Sequence, residues 1–79
     1  MDDAKVRHLI ESLGEAERHV AQGREHIARQ EELIAQLTRD GRDTSQAVAL
    51  LATFRQTQAS HEEHVAKIRT ELGLEPPAS

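Results

Sequence analysis

Apolar residues return in this chain every seven positions, twice over, and that rhythm limits the folds open to it. Val6, Leu13, Val20, Ile27 and Ile34 form one column, labelled a, and Leu9, Ala16, Gly23, Gln30 and Leu37 form its companion d. After a break, Leu51, Gln58, Val65 and Leu72 continue as a, and Ala47, Phe54, His61 and Ile68 as d. A heptad sustained over four or five repeats marks helices that pair along a narrow apolar seam. Both ends of each seam are apolar, whereas the middle is small or polar.

The break between the two stretches reads as a turn. Gly41-Arg42-Asp43 separates helices expected over 3–40 and 44–72. Gly41 can adopt the left-handed conformation that ends a helix. Asp43 can cap the next one, with Gln46 completing a capping-box-like pair. So short a connection makes the helices antiparallel neighbours. Residues 1–73 are therefore read as one helical hairpin, and 74–79, which include Pro76 and Pro77, as a disordered tail. The helices would be roughly 55 and 43 Å long.

Charge selects the pairing. Column e reads Glu17, Arg24, Glu31 and then Arg55, Glu62, Arg69. Setting Glu17 against Arg69, Arg24 against Glu62 and Glu31 against Arg55 makes all three contacts attractive. A slip of one heptad either way sets like charges together. Each exposed pair is worth only about 0.2–1 kcal/mol, so the pattern acts mainly against wrong registers. In this register Gly23 is expected near His61 and Val65, Gln30 near Phe54 and Gln58, and Ala16 near Ile68 and Leu72. Gln30 and Gln58 read as a hydrated stretch of seam or as a polar pair that sets register.

Composition excludes several functions. The 79 residues carry 10 Lys and Arg against 14 Asp and Glu, a net charge of −4, so there is no basic stripe to displace counterions from nucleic acid. The longest purely apolar run, Ala47 to Ala52, is too short for a bilayer. The acidic start has no apolar stretch behind it and does not read as a signal peptide, so a cytoplasmic location is expected. Cysteine is absent, which removes disulfides and thiolate metal sites. The four glycines are scattered, no hydroxyl has a nucleophile's context, and Phe54 is the one aromatic residue of the Phe, Tyr and Trp class. No catalytic or cofactor-binding constellation emerges, so a non-enzymatic protein without a cofactor is expected.

A lone hairpin leaves its core residues half exposed, and self-association is the expected remedy. Leu33 and Leu50, both in column g, should lie level on one flank near the tip. Ile10 extends the apolar stripe at the open end, and Val48 does so near the tip on the other flank. Ala21, Ala28 and Ala35 face Ala52, Ala59 and Ala66 on the opposite flank, where a second hairpin could also approach closely. The g flank is favoured because leucines gain more from burial than alanines. The expected architecture is all-α, a coiled-coil-like antiparallel two-helix hairpin that dimerises into a four-helix bundle. The interface would draw on Leu33, Leu50, Ile10, Val48, His19, His26 and His64.

Histidines are the remaining chemistry. His19, His26 and His64 occupy column g, His61 occupies d, and His8 lies apart. In the charge-selected register His64 should lie beside His19 or His26. Imidazoles three apart, as in His61-Glu62-Glu63-His64, can share an ion. The spacing fits neither the zinc-protease pattern nor the Glu-x-x-His pairs of di-iron bundles, so no metal ligands are assigned. A small metal- or pH-responsive regulator is the alternative to a structural or protein-interaction module.

His19-Val20-Ala21, His26-Ile27-Ala28-Arg29-Gln30, Arg39-Asp40-Gly41-Arg42-Asp43-Thr44 and Ala49-Leu50-Leu51-Ala52-Thr53-Phe54 with Gln58 resemble short uncharacterised bacterial proteins predicted to be helical hairpins. The resemblance covers the middle two-thirds of the chain. It implies a bacterial, cytosolic origin and carries no activity or functional residue with it.

Overall fold

The computed structural model describes residues 2–74. They form two helices, α1 over Asp3–Arg39 and α2 over Ser45–Glu71, folded back on each other as an antiparallel hairpin about 58 Å long. The expected tail over 74–79 falls, beyond Leu74, outside the described residues.

Local chemistry sets each end. Asp2 caps α1, its Oδ1 accepting from the Ala4 N–H at 2.9 Å and leaving one fewer orphan donor in the first turn. At the other end Gly41 takes φ 69°. That left-handed turn lets the Arg42 N–H reach the Leu37 carbonyl at 2.9 Å and the Gly41 N–H reach that of Thr38 at 3.1 Å. This double closure is the Schellman motif, which depends on a residue free to adopt positive φ. Gly73, φ 76°, repeats it after α2, with Leu74 bonded to the Arg69 carbonyl.

The start of α2 differs from expectation. The helix begins at Ser45, one residue late, with Thr44 in the N-cap position and making no side-chain cap bond. Asp43 still serves the terminus, but through Ser45: its Oδ1 accepts from the Ser45 N–H at 3.0 Å and from the hydroxyl at 2.6 Å. A near hydroxyl satisfies the carboxylate, and no capping-box bond to Gln46 forms. These two bonds hold the Asp43 carboxyl below the usual carboxylate range.

Burial follows the seven-residue columns. Every a and d residue from Val6 to Leu72 is buried or half-buried, and apart from Ser12, Gly14, Thr44, Arg69 and Thr70 the other positions of 2–74 are exposed. The apolar core lies at the open end, where Leu9, Ala16 and Ile68 are buried and Leu13, Val65 and Leu72 pack against them. Toward the tip, Leu51 is buried beside a polar stretch of seam. Among the described residues no side chain is completely buried. The core is a single seam between two helices, without the second layer that closes most domains.

Contacts across the seam follow the expected pairing in part. Ala16 is buried with Ile68, with Leu72 packed against them, and Gly23 shares one hollow with His61. Gly23 also meets the amide of Gln58, a neighbour not expected for it. Glu31 and Arg55 do close, at 3.2 Å. Glu62 lies in one hollow with both Glu17 and Arg24, so its attraction to Arg24 is partly offset by Glu17.

Candidate functional site

The middle of the seam is polar because two glutamines cross it. Gln58, 6% exposed, donates from Nε2 to the Val20 carbonyl at 2.9 Å. Gln30, 8% exposed, donates to the Ala47 carbonyl at 2.9 Å. Each carbonyl belongs to the opposite helix and has a second lone pair to offer. Of the two readings of these glutamines, the polar pair is not what forms: each amide donates to a backbone carbonyl of the opposite helix. Gln58 Oε1 rests against Gly23, where a Cβ would overlap it, and has no hydrogen-bond partner.

Beside the seam, where the Gln58 amide lies against Gly23, is a groove of about 400 Å³. His19, Gln22 and His26 line it from α1, and Thr53, Phe54, Thr57 and His61 from α2, with Gly23 and Gln58 also in its lining. The rings of His19 and His61 lie 5.3 Å apart at 60°, and those of His26 and Phe54 lie 5.9 Å apart. No carboxylate, lysine or arginine lines the groove.

Of the expected interface residues, His19 and His26 reach this groove. His64 is exposed on the same flank but does not line it. Its place beside His19 is taken by His61, one turn nearer the tip. Among the described residues no three His, Asp or Glu side chains converge as metal ligands would. Leu33 and Leu50 are 43% and 45% exposed. They stand one heptad from His26 and Thr57 in column g, on the flank that carries the groove. Ile10 and Val48 are also exposed, but both stand in column e, the flank of Glu31 and Arg55. One flat interface therefore does not collect all seven residues. Sequence reading named the histidines but missed the groove, which lies where Gly23 meets Gln58 from 35 residues away.

No family model matches this chain, and no curated protein or solved structure does either. Among the described residues no helix is long and apolar enough to cross a membrane.

Proposed function

We propose that this protein is a non-enzymatic structural and protein-interaction module: a cytoplasmic, coiled-coil-like helical hairpin that self-associates through its g flank. The observation that carries the reading is the exposure of two leucines of column g, Leu33 and Leu50, beside a seam in which no described side chain is completely buried. A compact monomer of 8.8 kDa exposes about 4,800 Å² by surface–mass scaling, and this chain exposes 6080 Å². Packing a second hairpin on one flank supplies the missing layer.

Sedimentation at micromolar concentration tests this. The expected mass is twice that of the chain, and L33E/L50E is expected to halve it while leaving the helical circular dichroism intact. A wild-type mass of 8.8 kDa overturns the reading. An unchanged mass in the double variant moves the interface to the alanine flank.

A second reading, a small metal- or pH-responsive regulator, draws on one observation, the close approach of His19 and His61 across the helices. Zinc or nickel should then raise the melting temperature by several degrees, and H19A should abolish the rise. A melting temperature indifferent to metal and chelator removes the metal form of this reading.

A further inference from the structure

The groove and the exposed leucines occupy one face, and that face is nearly free of charge. Columns g and c between His19 and Gln36 on α1, and between Gln46 and His64 on α2, hold a single formal charge, the exposed Arg29. Column e, on the other flank, carries Glu17, Arg24, Glu31, Arg55, Glu62 and Arg69 in alternating sign. Depletion of charge with retention of apolar and aromatic groups distinguishes the centre of a protein interface from ordinary surface. Leu33 and Leu50 stand one heptad, about 10 Å, from the groove residues His26 and Thr57. A projection and a hollow thus sit side by side on the same face.

We infer that the occupant of this face is a second copy of the chain, packed antiparallel about a two-fold axis so that Leu33 and Leu50 of each copy fill the groove of the other. The inference rests on the self-association reading above and gives it a geometry. An isologous contact requires a surface complementary to itself. Here the two complementary features are a leucine pair and a groove of about 400 Å³ floored by a glycine and walled by Phe54 and imidazoles. With the two-fold axis perpendicular to the helices, α1 lies over the partner's α1 and α2 over the partner's α2. Leu33 then reaches the partner's His26, and Leu50 the partner's Thr57.

The parallel alternative fails on packing. It sets leucine against leucine and groove against groove, which leaves two hollows facing each other at the centre of the interface. Interiors are packed as densely as organic crystals, and a void forfeits the dispersion contacts of its lining. An antiparallel dimer centred on the groove itself has the same defect. The offset arrangement fills both hollows with the exposed leucines of this face. The axis falls beside Arg29, so the two copies of this single charge meet at the rim of the contact and weakly oppose it.

The absence of cysteine makes a single labelling site unique. Arg42 is exposed at the tip, away from the proposed contact, and R42C carrying a nitroxide reports the tip-to-tip distance by pulsed electron spin resonance. For the offset antiparallel dimer the expected distance is about 40 Å, from 1.5 Å of rise per residue on either side of the axis. A distance below about 20 Å means parallel hairpins, and one near 60 Å means an axis through the middle of the groove; either result overturns the arrangement while leaving self-association standing. A sample that sediments at 8.8 kDa and gives no intermolecular coupling overturns the dimer itself, so the two failures are told apart.

Discussion

Gly23 and Gln58 show how one residue changes the meaning of another. In isolation, a glycine in mid-helix costs about 1 kcal/mol relative to alanine, and a buried glutamine costs more unless it is bonded. Together they make a lock: the missing Cβ admits the amide, and the amide binds the Val20 carbonyl on the opposite helix. In G23A the new methyl overlaps Gln58 and forces its amide away from Val20. The lost bond and the displaced buried amide, about 1–3 kcal/mol, outweigh the helix propensity gained. G23A is expected to destabilise the hairpin by about 1 kcal/mol, whereas the same change in a Q58A background is expected to stabilise it by about 1 kcal/mol. Urea denaturation of the four members of the cycle measures this. Equal effects of G23A in both backgrounds would show that the contact carries no coupling.

At the scale of the element, the helix ends are the parts that local sequence specifies most completely. Gly41 acts within a few residues, and its role was legible from order alone. Asp2 and Gly73 act as locally, and the structure is what singles them out. Asp43 was legible as a cap but not in its partner, since Ser45 and Gln46 compete for it and only the turn geometry decides. The Asp43 carboxyl titrates lower in the folded chain because Ser45 bonds its ionised form. Its contribution is therefore present at neutral pH, above the unfolded value, and is lost as pH falls through the folded one. D43A is expected to lower the urea midpoint at pH 7. The gap from wild type should close as pH falls through the folded value and the carboxylate takes up its proton in both states. A gap that stays constant with pH would assign the effect to the side chain's shape instead of its charge.

At the scale of the whole molecule, the proposed dimer would bury imidazoles in a face with no carboxylate to answer them. His19 faces His61 across the groove, His26 faces Phe54, and the remaining groove residues Gln22, Gly23, Thr53, Thr57 and Gln58 carry no charge. Self-association is expected to survive H19N/H61N, which keeps this face uncharged, and to be lost in H19E/H61E, which sets carboxylates in it. Sedimentation of the two variants checks it, and an unchanged mass in H19E/H61E would place these residues outside the interface.

The rhythm of apolar residues and the placing of Gly41 were enough to determine that two helices form, where they stop and that they run antiparallel. Those features depend on contacts within a heptad or a turn, which a linear reading can follow. Which side chains meet inside the seam was decided only in three dimensions. The amide of Gln58 enters the space that Gly23 leaves, and His61, not His64, comes to lie against His19. With them comes a groove that no stretch of the chain announces. Their meeting follows from side-chain volume, which alternates between surplus and shortage across the seam and has meaning only once both helices are in place.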